Sequence, residues 1–459
     1  MFVQPYREGL FVAAANAPDP IKAKADAVCT GTNDQVVINE MLATMQTTPG
    51  GIMGAGGLLY LSQGRFELGG PILLRGMMGI AGAGMVSTLL AQSPEYHGDI
   101  LQLDSPERIT GFISIESLGL IGNSPKLEPY IESRISLTTK NSLTDLSKTW
   151  LPGSLVGGAV EIVGDGSLAQ ILPIVTNAEN TIIVAGGWRD QPPSGTVYRV
   201  IGSGIGCYGN AGGYMRLRDL YIMSLGGCGV VLSNSPRTSI EGCYFNGTRG
   251  DGIRVSPHMG KTLGPRIFNN TINGMHGSAI RFDDAVEGAI ITGNELYGVK
   301  KGSCGIRCNH LSKTIISNNV FPCIGTTTVH FKGKVTACTA VSATVAGQTW
   351  EPDIWKDEVV TLRNQVRLIT ANSYSTIYFH HQELVSAVGD ELIIHHLPRG
   401  GVILEGNSRD NLISGNVITS DLRGNPEPIF LGHETSHNVV VSNLITGKVI
   451  NLGVDNSIA

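Results

Sequence analysis

Ile267-Phe-Asn-Asn270, Ile291-Thr-Gly-Asn294 and Ile316-Ser-Asn-Asn319 are one phrase written three times: an apolar residue, two spacers, then Asn. Ile240-Glu-Gly-Cys243 precedes them, and Ile413-Ser-Gly-Asn416 and Val440-Val-Ser-Asn443 follow. The intervals from Cys243 to Asn270, Asn294 and Asn319 are 27, 24 and 25 residues, and Asn416 to Asn443 is again 27. Only the step from Asn319 to Asn416 breaks the beat. A period in the twenties marks a solenoid, in which each repeat buries its apolar face by stacking on its neighbours. The reading is a solenoid.

Composition fits a chain that turns constantly. Of 459 residues, 60 are Gly and only 15% are charged, and glycine supplies the positive φ of tight corners without a Cβ clash. There is no collagen-like period, and the apolar fraction of 42% is too high for a disordered chain. A net charge of -5 argues against a surface that coats nucleic acid. No run of 18 apolar residues is present, so no membrane span is expected. The N-terminus lacks a secretory pattern, and the expectation is a soluble protein made in a cytoplasm. Five of the eight cysteines, Cys228, Cys243, Cys304, Cys308 and Cys323, lie in or beside the repeat phrases, where a reduced thiol packs as a small hydrophobe. No cysteine or histidine spacing suits zinc, and no metal or cofactor is expected.

Outside the repeats, Val36, Val37, Ile38, Met41, Leu42 and Met45 recur near helical spacing after Asn33 or Asp34 as N-cap. Such a helix suits the open end of a solenoid, which otherwise exposes sheet edges. Two stretches look like copies of one inserted module. Thr149-Trp-Leu-Pro152 matches Thr349-Trp-Glu-Pro352, Thr176–Ile183 matches Ala371–Tyr378, and Gly195–Val200 matches Gly389–Ile394. Alternating β-branched runs between Gly, Pro and Asn breaks make each copy a small β-barrel or sandwich. The expected organisation is a lead or attachment segment (1–22), capping helix and first rungs (23–139), module one (140–202), rungs (203–339), module two (340–397) and final rungs (398–459).

Asp26-Ala-Val-Cys-Thr-Gly-Thr-Asn-Asp-Gln-Val-Val-Ile-Asn39, Gly56-Gly-Leu-Leu-Tyr-Leu-Ser-Gln-Gly-Arg-Phe66 and Gly82-Ala-Gly-Met-Val-Ser-Thr-Leu-Leu90, in this order, resemble the pectate-lyase-like proteins of tailed bacteriophages. The resemblance covers roughly residues 23–123 and, through the repeat phrase, 215–330 and 400–455. It implies an all-β, right-handed parallel β-helix with an N-terminal capping helix, a place in the virion as tail spike or appendage, and a homotrimer. Other virion proteins and a bacterial surface polysaccharide are the implied partners. The same scaffold carries lyases, hydrolases, epimerases and inactive binders, so catalysis does not follow from it.

The repeat also aligns side chains. Gly252-Ile-Arg254, Ala279-Ile-Arg281 and Gly305-Ile-Arg307 fall on equivalent positions of successive rungs, about 4.8 Å apart. Arg254, Arg281 and Arg307 should form one ladder, with Ile253, Ile280 and Ile306 pointing inward. Three stacked guanidinium groups repel unless anions interleave. Asp283 and Asp284 lie beside the ladder, with Ser256, His258, Asn309 and His310 near and Asp251 and Glu287 farther off. Asp283, Asp284 and Arg281 could serve acid/base cleavage of a glycan, by lyase or glycosidase chemistry. Arg254, Arg281, Arg307, His258, Asn309 and His310 could grip one, with Trp188 as a stacking surface. The plainer alternative is mutual neutralisation on a solvated face. No hydrolase or epimerase signature accompanies the stripe, and the weight falls on a virion protein that binds glycan, with a depolymerase as the alternative. The recurring Asn residues are expected at corners, bonding along the stack.

Overall fold

The structure is a computed structural model that describes residues 9–46, 57–103, 111–126, 130–163, 170–208, 213–233, 235–256, 262–297, 304–322, 329–339, 342–352, 354–355, 358–363, 365–379, 388–395, 399–419 and 427–459. Among these, a 21-stranded and a 10-stranded parallel sheet form the walls of a β-helix, with a three-stranded sheet beside them. The first residue of the repeated phrase builds its spine. Leu59, Ile80, Ile115, Leu217, Ile240, Ile267, Ile291, Ile316, Ile413 and Val440 pair rung to rung. None is more than 3% exposed, and burying each such side chain contributes roughly 1.5–3 kcal/mol. Ile316 pairs directly with Ile413. Between them the chain forms a separate sheet, within residues 329–395, and returns to the coil at Arg399–Glu405 without costing it a rung.

Each phrase ends in a corner. Here the left-handed residue is the third of the phrase rather than the Asn: Gly242, Asn269, Gly293, Asn318, Gly415 and Ser442 have φ between 55 and 68°. The Asn that follows turns inward, and Asn270, Asn294, Asn319 and Asn416 are at most 1% exposed. Asn270 donates its backbone N–H and its Nδ2 to Asn294 Oδ1 at 3.1 and 3.0 Å. The pattern repeats from Asn294 to Asn319, Asn416 and Asn443. The ladder thus satisfies backbone groups that the corner takes out of the sheet. A second ladder, Asn411, Asn438 and Asn456, does the same at the preceding corner, behind left-handed Asp410, His437 and Asp455.

The helix Gln35–Gln46 buries Ile38, Leu42 and Met45 in the main core. Asn39 pins it to the first turns, donating to Pro71 O and accepting from Leu73 N. Asp34 precedes the helix, but its carboxylate caps the loop, accepting from Thr30 and Gly31 N–H, and from Glu67 N–H of a neighbouring strand. Residues 9–13, grouped on sequence with a lead segment, form a strand paired with Ala27–Val28 and Gly57–Leu61. Cys29, Cys207, Cys228, Cys243, Cys304 and Cys308 are free and buried. Cys323 lies outside the described residues.

Two seven-stranded antiparallel sheets interrupt the coil. The first runs in the order Ile131–Arg134, Val197–Ile201, Ala159–Ile162, Gln170–Asn177, Thr181–Val184, Ser142–Thr144, Leu137–Thr139. The second runs Val329–Lys334, Glu391–His395, Val359–Leu362, Gln365–Asn372, Thr376–Phe379, Ser342–Thr344, Ala337–Thr339, which is the same order. Both shift register at the same place, between Ile174 and Thr176 and between Ile369 and Ala371. Asn177 and Asn372 make equivalent bonds, each accepting from one loop N–H and donating to two carbonyls. In each unit one apolar cluster draws on strands from both halves of the sheet, so the sheet folds over its own core.

Candidate functional site

Strands Ile253–Val255, Ile280–Phe282 and Ile306–Asn309 stack in parallel register and place Arg254 beside Arg281 and Arg281 beside Arg307. Ile253, Ile280 and Ile306 are fully buried in the core, so strand alternation sends the arginines outward. The anions that such a ladder requires come from the chain itself. Asp283 sits between two guanidinium groups, 2.6 Å from Arg254 Nε and 2.6 Å from Arg281 Nε. Arg307 Nε lies 2.9 Å from Glu405 of the next rung.

The first inserted unit closes over the upper end of the ladder. Its Glu161 reaches Arg254 Nη1 at 2.5 Å and lies 3.4 Å from Arg199. Ala159, Ile171 and Ile201 of the unit share an apolar cluster with Tyr208, Cys228 and Val231 of the coil. Arg254 is 1% exposed and the Asp283 side chain not at all. Burial disfavours an ionised Asp283, but Arg254 and Arg281 outweigh it and hold the carboxyl down at about 2. Burial likewise opposes ionisation of Glu161, and Arg254 and Arg199 hold it below the ordinary carboxylate range. Asp251, whose Oδ1 accepts from Ser278 N–H at 2.6 Å, goes the other way: burial pushes its carboxyl up.

Farther down, the stripe opens to solvent. Asp284 accepts from Arg189 Nη1 at 2.9 Å and lies 3.0 Å from His310 Nδ1, with the His310 side chain 39% exposed. Asn309 Nδ2 donates to Asp283 O at 3.3 Å. The structure therefore brings together Arg281, Asp283, Asp284, Arg307, Asn309 and His310, as the alignment of rungs anticipates.

Three of the sequence-derived assignments change. Asp283 is no general acid or base, because an inaccessible carboxylate held near 2 neither reaches a substrate nor exchanges a proton near neutrality. Arg254 has no surface to offer a ligand. Trp188 is a core residue of the first unit, 8% exposed, with Nε1 donating to Ser142 O at 3.2 Å. His258 lies outside the described residues. The periodicity did not reveal Glu161, Arg199 and Arg189, because they come from a unit that the repeat does not index.

Residues 203–347 match a family model described as a right handed beta helix region. No curated protein matches the chain. Among solved structures, DFA-IIIase from Arthrobacter chlorophenolicus A6 in complex with GF2 is similar at 12% identity and TM-score 0.49, over 95% of this chain and 76% of that one. Alginate lyase from Paenibacillus sp. str. FPU-7 is similar at 12% identity and TM-score 0.49, over 98% and 99%. ORF18 of Geobacillus virus E2 is similar at 11% identity and TM-score 0.39, over 91% of this chain and 59% of that one. The chain is an all-β protein built on a parallel β-helix.

Proposed function

We propose that the protein is a β-helical component of a tailed-bacteriophage particle that recognises a bacterial surface glycan without cleaving it. The open end of the arginine stripe, with Arg281, Arg307, Asn309 and His310, is the contact face. The observation that carries the absence of turnover is the burial of Asp283 between Arg254 and Arg281. That arrangement commits one of the two adjacent carboxylates to two arginines of the coil, while Glu161 of the first unit closes over Arg254. The virion assignment rests on the likeness of the sequence around Asp26–Asn39, Gly56–Phe66 and Gly82–Leu90 to phage β-helix proteins. A homotrimer is part of the same proposal. It is supported by exposed apolar side chains in two columns of the last rungs, Ile315 and Val439 (41 and 40% exposed) in one and Val320 and Leu444 (36 and 67%) in the next.

A depolymerase is the second reading, and the Asp284–His310 pair favours it. A carboxylate 3.0 Å from a half-exposed imidazole, with Arg281 on the adjacent ladder, has the parts of an assisted base beside a cation. Binding and cleavage separate in one experiment. Surface polysaccharide from the adsorbing host strain is incubated with the protein and followed by retention and chain length together. Retention at constant chain length, weakened in Arg307→Ala, supports recognition. Shortening that disappears in His310→Ala supports the depolymerase.

A further inference from the structure

The stripe is charged throughout, but a second concave site is not. It lies at the root of the first inserted unit, where the chain leaves the coil at Tyr130 and rejoins it at Gly202. The cleft holds about 190 Å³ and is lined by Gln92, His97, Asn123, Ser124 and Tyr130 with the backbones of Gly202 and Gly226. One wall is aromatic: the His97 and Tyr130 rings stack with centroids 4.1 Å apart and planes 15° from parallel. Tyr130 is 48% exposed, so the stack leaves part of its ring open to a ligand.

The polar side of the cleft is fixed in place. Asn123 Nδ2 donates to Ser93 O and Tyr96 O, both at 2.7 Å, and Asn123 N–H donates to Gln92 Oε1 at 3.0 Å. Gln92 Nε2 in turn donates to Gly98 O. These bonds clamp the turn that carries His97. Burial lowers the His97 pKa, against the opposing pull of its hydrogen bond to Asn123 and of nearby Glu95, which favours the neutral imidazole.

A flat aromatic wall beside amide, hydroxyl and peptide groups, with no charged residue among the described lining residues, suits a ring with one apolar face and a polar rim. An anionic ligand would meet no cation among the described lining residues, with Glu95 close to His97, and would lose its hydration. The volume is below the roughly 300–1,000 Å³ of sites for drug-sized ligands, and fits a single sugar ring. We propose that this cleft is a subsite for a neutral hexose or N-acetylhexosamine, stacked on the Tyr130 wall. The proposal rests on the glycan-recognition reading only for its ligand class and uses none of the residues of the stripe.

The test titrates the full chain with methyl glucoside, methyl galactoside, N-acetylglucosamine and glucuronate, read by saturation-transfer NMR. At least one neutral sugar is expected to bind in preference to glucuronate, and about tenfold more weakly in Tyr130→Leu, which keeps apolar bulk and loses the ring. Tyr130→Ala is the harsher companion, and an unchanged thermal transition confirms that either variant is folded. Absence of binding by every neutral sugar, equal binding in the folded Tyr130→Leu variant, or preference for glucuronate overturns the proposal. None of those results bears on polymer binding at the stripe, whose failure is read separately in Arg307→Ala with intact polysaccharide.

Discussion

Asn294 accepts two bonds from Asn270 and donates to Ile267 O and Asn319 Oδ1, all out of solvent. Asn294→Ala strands several buried groups at once, and each costs about 1–3 kcal/mol when left unsatisfied. The expected loss is about 3 kcal/mol by denaturant unfolding, with a smaller loss for Asn443→Ala at the end of the ladder. Gly293 is a different case: a Cβ there would fall 2.6 Å from Asn269 Oδ1 at a φ of 68°. Gly293→Ala should therefore destabilise although it adds only one carbon. Buried charge makes a pH prediction with two signs. Asp283 has its carboxyl lowered from 3.8 to about 2, so its contribution is complete above the unfolded value. It fades as pH falls from about 4 towards 2, a loss of ~2 kcal/mol. Asp99, which accepts from Ser203 N–H and the Tyr208 hydroxyl, is raised by burial to about 7. It subtracts stability as pH rises from about 4 through 7. Asp99→Asn should flatten that decline in unfolding curves taken from pH 4 to 8, whereas Asp283→Ala should cost about 3–5 kcal/mol at pH 7 by leaving Arg254 buried with a partner missing.

Among the elements, the two inserted sheets share a strand order but not a surface. Where the first unit carries Glu132, Glu161 and Arg199, strand register places Lys332, Thr361 and Ile393 in the second. At these positions, among the described residues, the charge lock onto the coil belongs to the first unit. A double-mutant cycle of Glu161→Gln with Arg254→Met tests it. The coupling should be on the order of 2 kcal/mol in denaturant unfolding, and additivity would mean that the contact carries no energy. The matched Trp150 and Trp350, and the paired segments around Asn177 and Asn372, made the duplication legible, because a module conserves the residues that its own core needs. Docking was not legible. Glu161 meets Arg254 across 93 residues of sequence, and no local pattern encodes which face of a looped-out unit turns back. For the same reason Trp188 read as an available ring when it is packing inside its own sheet.

For the whole molecule, period was the informative quantity. It specified the spine of Ile residues, the asparagine ladder and the arginine register, since all three follow from stacking one rung on the next. It could not say which end of the arginine stripe stays open, because that depends on the first unit covering Arg254 while leaving His310 half exposed. The outward apolar band of the last rungs carries its own prediction: on the homotrimer proposed above, Leu444→Lys, at a position 67% exposed, should leave the fold intact and lower the mass seen by sedimentation from trimer to monomer. An unchanged mass would remove that band from the interface. The central claim, recognition without turnover, meets its most direct test in the chain-length distribution of the host surface polysaccharide after prolonged incubation with the protein. The account predicts a distribution identical to the untreated polymer, with the protein retained on it. A shift to short oligosaccharides that is lost in His310→Ala would contradict it.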